Sequence, residues 1–281
     1  MNGKDTDQGL TSPIRNTLHF GSRLLVLLLM FPTGLLPSTS DKQPDIAPAL
    51  NRAPLTAEQV VQNLVQMNLH RLQALHTYKG SRTYLVEYRG LLGNRAAGMV
   101  VNVKSVSGKK QFVVLSSTGS GLIIDRVLKK LLEAEAEATD EEGQRRSALT
   151  EENYHFTLIG YQTGASGSTY VLKVEPRTES KFLYRGRIWV DGQDFAVVRL
   201  EAEPARNPSF WTKKTEIVQQ YMKVGDFWLP ARNHSITAIR VGGHAELTIE
   251  YKDYEITSAS RVNSLSMLPS ALYLEAARAQ E

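Results

Sequence analysis

From Thr77 to Ile256 the chain alternates between apolar and polar residues, and this period of two is what most constrains its fold. Such alternation is typical of β-strands that bury one face of a sheet. Turn residues such as Gly192, Gly225 and Gly242 separate the segments, so consecutive strands are expected to form antiparallel hairpins in a meander. We predict ten strands, which are Tyr78–Arg89, Met99–Val106, Gln111–Ser117, Tyr154–Tyr161, Ser168–Glu175, Tyr184–Asp191, Asp194–Glu203, Lys213–Val224, Phe227–Arg240 and His244–Ile256.

Two helices accompany these strands. Thr56 and Gln59 form a capping box at the start of the first helix, which we expect to run to about His76. The second is predicted from about Leu122 to Ala138. Its buried face is expected to contain Ile123, Val127, Lys130, Leu131 and Ala134.

A sheet of this width cannot stay flat, because strand twist accumulates across it. The predicted fold class is therefore mainly β (α+β). It is a large curved antiparallel sheet, or half-barrel, of about ten strands, with two or more helices packed against its concave face.

One face of the predicted sheet is apolar and must be covered. The two helices are short relative to ten strands, which leaves room for a ligand. The residues that we expect to line such a site are Tyr84, Val86, Tyr88, Leu172, Val174, Ile188, Val190, Leu247, Ile249 and Tyr251.

Two adjacent aromatic residues, Phe210 and Trp211, lie in a proline-containing connection next to two lysines. One interpretation is that they fold back over the sheet edge as a cover, because large aromatic side chains are mostly buried. The other is an exposed rim that contacts a partner or a membrane surface. The sequence favours the cover and leaves both interpretations open.

Residues 1–40 have the order of a secretory signal. Arg15 and Arg23 supply positive charge, the apolar run Leu24–Phe31 follows, and Ser38–Ser40 provides small residues. We predict an exported protein whose signal peptide is cleaved after Ser40. The alternative is an uncleaved membrane anchor, but the run is much shorter than the roughly 20 residues of a spanning helix.

The remaining chain divides into three predicted parts. Residues 41–54 contain three prolines and are predicted to be a flexible linker. Residues 55–257 form the half-barrel domain, and residues 258–281 form a C-terminal tail.

Composition and motifs exclude several functional classes. The chain has no cysteine, which excludes disulfides, thiol catalysis and thiolate metal sites. Its net charge of +4 comes without a dense basic stripe, so no nucleic-acid partner is expected. Phosphate-loop, G-x-S-x-G, H-E-x-x-H and Rossmann patterns are lacking. We therefore expect no catalytic residues, no cofactor and no metal, and a protein that is not an enzyme. We also expect a monomer.

Four stretches resemble those of bacterial outer membrane lipoprotein-sorting proteins. They are Lys181–Asp191, Phe195–Glu201, Asn207–Trp211 and Val224–Pro230. These proteins are similar to the LolA/LolB carriers and to the sigma-factor regulator RseB (MucB), and the resemblance covers residues 55–257. It implies an open, half-closed antiparallel barrel with helices in its mouth. The carrier family's functional arginine has no match here, so no site residue is carried over.

The resemblance also implies a function. It points to a periplasmic carrier that binds lipids or lipoprotein acyl chains for sorting to the outer membrane. The alternative is an RseB-like envelope sensor or interaction module that binds an inner- or outer-membrane protein partner.

Overall fold

A computed structural model describes residues 54–91, 93–137, 145–164, 167–180, 182–207, 210, 212–240 and 242–259. The predicted signal peptide and nearly all of the predicted linker and C-terminal tail lie outside these residues. The helices are α1 (Ala57–Ala74), α2 (Gly121–Ile123) and α3 (Lys129–Glu137), with a π-helical turn, Ile124–Leu128, between the last two. The strands are β1 (Leu75–Arg89), β2 (Arg95–Val106), β3 (Lys109–Gly119), β4 (Tyr154–Gly164), β5 (Gly167–Pro176), β6 (Tyr184–Asp191), β7 (Val197–Pro204), β8 (Thr212–Val224), β9 (Phe227–Ile239) and β10 (His244–Ala259).

The strands form one curved antiparallel sheet of ten strands that is not closed into a barrel. This confirms the predicted fold class. The order across the sheet is β3-β2-β1-β10-β9-β8-β7-β6-β5-β4. The prediction of a simple meander was wrong at one point, because β3 and β4 lie at opposite edges and β10 returns to pair with β1. The helical connection after β3 lets the chain restart at the far edge.

Helix α1 begins as predicted and ends earlier. The Thr56 hydroxyl accepts a hydrogen bond from the Gln59 amide, and the Gln59 side chain accepts one from the Thr56 amide, which completes the capping box. The helix ends at Ala74, and Leu75 and His76 already belong to β1. The Leu75 amide donates the last helical hydrogen bond, to the Arg71 carbonyl, and from Leu75 onward the chain pairs with β10.

Strand β7 begins at Val197 and not at the predicted Asp194. The preceding residues form a tight turn in which the Asp191 carboxylate accepts hydrogen bonds from the amides of Gln193 and Asp194. Phe195 has a φ of 45°, in the left-handed region and outside the β region of an extended strand. Asp194, Phe195 and Ala196, which the alternation assigned to the strand, therefore precede it.

The predicted buried face of the second helix was wrong at Val127 and Lys130, whereas Ala134 is buried and Leu131 is partly buried, as predicted. The π-helical turn adds one residue to a helical turn, which rotates every later side chain. As a result Leu128 and Leu132 are buried, whereas Val127 is 37% exposed and Lys130 is also exposed. Ile123, which precedes the turn, is buried as predicted.

Gly186 in β6 lies where a larger side chain would not fit. A Cβ atom at this position would be 2.1 Å from the carbonyl oxygen of Glu201 and 2.6 Å from the Cα of Ala202. We expect Gly186→Ala to lower the free energy of unfolding by about 1–3 kcal/mol, measured by urea denaturation. Gly98→Ala is the matched control, because its Cβ would meet nothing closer than 3.4 Å. Equal stabilities of the two variants would contradict the close approach.

Candidate functional site

Among the described residues, the buried apolar side chains form two large clusters, each with its own helical cover, and a small third cluster of Ala74, Phe227 and Leu229. The α1 cluster contains residues of α1 and of strands β4 to β8, among them Val60, Leu64, Leu172, Ile188, Val190 and Tyr221. The α3 cluster contains residues of β1, β2, β10 and the second helical segment, among them Tyr84, Met99, Ile249, Tyr251, Leu128 and Leu132. The apolar face is therefore divided into two halves.

The predicted ligand-lining residues fall into both halves. Leu172, Val174, Ile188 and Val190 belong to the α1 cluster. Tyr84, Val86, Leu247, Ile249 and Tyr251 belong to the α3 cluster. Tyr88 is only partly buried, and its hydroxyl donates a hydrogen bond to the Gly242 carbonyl at 3.2 Å. Their role as ligand contacts stays a prediction.

A polar ladder separates the two clusters, and the sequence analysis missed it. β8 and β9 are the central strands of the sheet, and their register pairs Thr215 with Thr237 and Gln219 with Asn233. The two threonine hydroxyls are 3.1 Å apart, and Asn233 Nδ2 donates to Gln219 Oε1 at 2.8 Å. Ser235, opposite Ile217, completes the ladder. Gln219 and Asn233 are 0% and 1% exposed, so the centre of the concave face is closed in this structure.

A buried ion cluster attaches α3 to the sheet. The carboxylate of Glu135 accepts hydrogen bonds from Arg82 Nη1 at 2.7 Å, Arg82 Nη2 at 3.1 Å and Lys110 Nζ at 2.7 Å. The three side chains are at most 7% exposed. The Arg82 guanidinium also lies over the rings of Phe112 and Tyr251. Helix α3 is therefore fixed to both β1 and β3.

The pairing of Glu135 and Arg82 favours the charged forms of both groups. Burial by itself would raise the pKa of Glu135, but the charges of Arg82 and Lys110 bring it below its ordinary value. Burial likewise opposes the charge of Arg82, and the Glu135 carboxylate more than offsets that effect, so the pKa of Arg82 is raised. Burial raises the pKa of Tyr84 to about 12, although the charge of Arg82 opposes it.

Arg71 attaches α1 to the turn before β7. Its guanidinium is buried and donates hydrogen bonds to the carbonyls of Asp194 and Phe195 at 2.8 and 2.9 Å, and to Asn68 Oδ1 at 2.9 Å. Burial lowers the pKa of Arg71 to about 10, against the raising effect of the Asp194 and Asp191 carboxylates. The side chain therefore stays charged at neutral pH. The Asp194 carboxylate also accepts a hydrogen bond from Trp228 Nε1 at 2.6 Å.

Two surface depressions lie away from the polar ladder. One, of about 280 Å³, is at the start of α1 and is lined by residues such as Glu58, His155 and Arg177. The other, of about 600 Å³, is lined mainly by charged residues of β5 to β8, including Lys173 and Glu201. Neither is lined by Gln219 or Asn233.

Phe210 is 77% exposed, with the Arg240 guanidinium 5.5 Å from its ring centroid. This position agrees with the rim interpretation and not with the favoured interpretation as a cover. Trp211 lies outside the described residues. Contact of either residue with a partner stays a prediction.

Within the described part of the chain, no three His, Asp or Glu side chains gather closely enough to hold a metal ion. The same residues contain no helix with the length and apolar character needed to span a membrane.

No protein-family model matches the chain, and no curated protein matches it by sequence. Among solved structures, it is similar to a putative outer membrane lipoprotein-sorting protein domain from Vibrio parahaemolyticus, with 11% identity, a TM-score of 0.39, and coverage of 74% of this chain and 96% of that one. It is also similar to a DUF1329 family protein from Desulfovibrio piger, with 10% identity, a TM-score of 0.37, and coverage of 77% and 99%.

A third similar structure is a LolA superfamily protein from Nitrosomonas europaea, with 11% identity, a TM-score of 0.32, and coverage of 77% and 99%. The first and third of these structures are of the kinds that the sequence resemblance named. At these TM-scores the likeness does not indicate what ligand this chain binds.

Proposed function

We propose that this protein binds the apolar chains of lipids or lipoproteins on its concave face, in the periplasm, and carries them toward the outer membrane. The observation that supports this most is the divided concave face. Two apolar clusters lie on one open sheet, and each is covered by a helix. Arg71 attaches α1 to the turn before β7, and Glu135 attaches α3 to the sheet. Displacing either helix would expose a broad apolar surface to a ligand.

The apolar surface suits a cargo that must be released. Burial of one CH₂ group contributes about 0.8 kcal/mol, so a long acyl chain can gain on the order of 10 kcal/mol. A cover that competes for the same residues lowers this net affinity. Reversible binding therefore follows if α1 or α3 and the acyl chain occupy the face alternately.

The ion cluster suits a cover that moves. A buried ion pair contributes little net stability, because the desolvation of its charges offsets their attraction. Arg82, Lys110 and Glu135 therefore fix the position of α3 without adding the large stabilisation of an apolar contact. The charged groups regain water when α3 leaves the sheet, which lowers the cost of opening.

Uptake of a fluorescent fatty acid by the delipidated protein tests this proposal. We expect binding at micromolar protein, and at least a tenfold weaker affinity for Ile249→Asp, because a carboxylate then lies on the apolar face. Thr248→Asp is the matched control, since Thr248 is next in β10 and faces the other side of the sheet. Absence of uptake by the wild-type protein would count against the proposal.

Circular dichroism must show that the Ile249→Asp variant is folded. If it is not, Ile249→Thr replaces it, because threonine keeps the β-branched side chain and places one hydroxyl on the apolar face. Mass spectrometry of organic extracts from protein purified from its native periplasm then identifies the cargo.

A second candidate function is an interaction module that binds a membrane-protein partner. The supporting observation is the edge strand β3, where Val113, Val114 and Leu115 are 61%, 44% and 55% exposed. Residues 111–124 contain no charged side chain, whereas edge strands usually carry charges that prevent strand addition. Such an edge can accept an extended segment of a partner.

Val114→Lys tests this second function. We expect the lysine to abolish co-purification of a cross-linked envelope partner while fatty-acid uptake persists. Asn102→Lys is the control, because Asn102 is exposed in β2, a strand that is already paired on both sides. Unchanged co-purification with Val114→Lys would exclude β3 as the contact.

A further inference from the structure

The polar ladder lies between two surfaces that can each accept an apolar chain. On one side Leu200 of β7 is paired with Gln219, and on the other Ile249 of β10 is paired with Asn233. Buried polar side chains lower the affinity of a face for purely apolar cargo, because they must be desolvated. A ligand that extends across the centre of the sheet therefore needs a polar group at this point.

Among the residues that the structure describes, two polar atoms of the concave face have no hydrogen-bond partner. They are Asn233 Oδ1 and the hydroxyl of Tyr251, and both residues are buried, at 1% and 3% exposed. Asn233 is in β9 and Tyr251 in the neighbouring strand β10. Buried polar atoms of folded proteins almost always have a partner, so these two require an explanation.

The chemistry of the unpaired atoms restricts what could partner them. Asn233 Nδ2 already donates to Gln219 Oε1, and Gln219 Nε2 donates to the Gln220 carbonyl. The atom left on Asn233 is an acceptor, which requires a donor. The ladder itself contains no ionisable side chain. The Arg82 guanidinium over the Tyr251 ring is already paired with Glu135, so a charged group would be desolvated there without a free counter-charge. An uncharged hydroxyl or amide N–H meets both conditions.

We propose that the ligand is an amphiphile with an uncharged polar group that donates a hydrogen bond to Asn233 Oδ1, while its apolar chain covers one of the two clusters. The Tyr251 hydroxyl is the second contact for this group. This inference rests on the proposed function and specifies its substrate class. Because Gln219 and Asn233 are closed off in this structure, the ligand reaches them only when the cover of the face moves.

A series of ligands that share one chain and differ in their polar group tests the proposal. Oleamide and monooleoylglycerol can donate a hydrogen bond, methyl oleate cannot, and oleate carries a charge. Each competes with a fluorescent acyl probe for the delipidated mature protein. We expect the two donors to bind about 2- to 12-fold more tightly than methyl oleate, which corresponds to one net hydrogen bond.

Asn233→Leu combined with Gln219→Met removes both partners of the ladder pair, so neither is left unpaired. We expect this double variant to bind methyl oleate as the wild type does and to lose its preference for donors. Asn102→Leu is the matched control, because Asn102 is exposed on the opposite face of β2. It should keep the preference.

Tyr251→Phe is a second variant for the case that the double variant does not fold. It removes only the unpaired hydroxyl, so it should unfold at the same or a higher temperature and show a reduced preference for donors. A preference that survives in a folded double variant, or in Tyr251→Phe if the double variant is unfolded, overturns the inference. Wild-type protein that binds all four ligands equally overturns it while the carrier function stands, and absence of any binding overturns the carrier function itself.

Discussion

Replacing Glu135 by glutamine is expected to lower the free energy of unfolding by about 3–5 kcal/mol. The Glu135 carboxylate accepts hydrogen bonds from Arg82 and Lys110 in a site where all three side chains are almost completely buried. Glutamine keeps the shape and removes the negative charge. Two positive charges then remain in a buried site without compensation, which is the main cause of the loss. Urea denaturation followed by circular dichroism measures it.

Glu133→Gln is the matched control for this change. Glu133 is two residues away on the same helix, pairs with Lys130 and is 54% exposed. An exposed pair of this kind contributes little, so we expect a change within about 0.5 kcal/mol. Replacing Arg82, Lys110 and Glu135 together by methionine, methionine and leucine should restore much of the stability, because no charge is left buried. A loss as large as that of Glu135→Gln would show that the cluster's role is not electrostatic.

The same residue gives part of the protein's stability a dependence on pH. The pKa of Glu135 is lower in the folded protein than its ordinary value, so the folded state favours the ionised carboxylate. Its contribution to stability is present above the pKa of the unfolded chain and is lost as the pH falls through the folded pKa. The Glu135→Gln variant should lack this part of the acid dependence. Acid titration of both proteins compares them.

If α3 is the cover that admits the cargo, Glu135→Gln should also take up a fluorescent fatty acid faster than the wild type. Loss of the carboxylate weakens the attachment of α3 to β1 and β3. Stopped-flow fluorescence with a saturating probe measures the rate. An unchanged uptake rate together with reduced stability would indicate that α1, and not α3, is the helix that moves.

Alternation along the chain was sufficient to predict ten strands and their apolar side. Leu247, Ile249 and Tyr251 alternate with polar residues, and all three are buried. It could not predict that β1 pairs with β10, because strand order depends on contacts between segments far apart in the sequence. Periodicity also misplaced Val127 and Lys130 of the second helix, where a single π-helical turn altered the phase.

The features that define the candidate site were the hardest to predict. Arg82 follows polar Ser81 in β1, and Glu135 lies in a helix rich in charged residues. Each resembles an ordinary exposed side chain until the fold brings the two together. The polar ladder was missed for a similar reason, since Gln219 and Asn233 lie in strands whose two faces both carry polar residues.

The second large effect is expected at Arg71, which attaches the other cover. Arg71→Met should lower the free energy of unfolding by about 2–4 kcal/mol, because the carbonyls of Asp194 and Phe195 lose their buried donors. Phe195 is held in the left-handed region, so the turn also loses a contact that fixes a strained residue. Urea denaturation measures the change.

Arg71→Lys separates charge from geometry in this contact. Lysine keeps the positive charge but lacks the planar fork that reaches two carbonyls at once, so we expect it to recover less than half of the loss. Arg126→Met, an exposed arginine in the second helical segment, should change stability by less than about 0.5 kcal/mol. Full recovery by lysine would mean that attraction to Asp191 and Asp194 holds α1 in place. If Arg71→Met accelerates fatty-acid uptake and Glu135→Gln does not, α1 is the helix that opens, and the cargo lies on the α1 cluster.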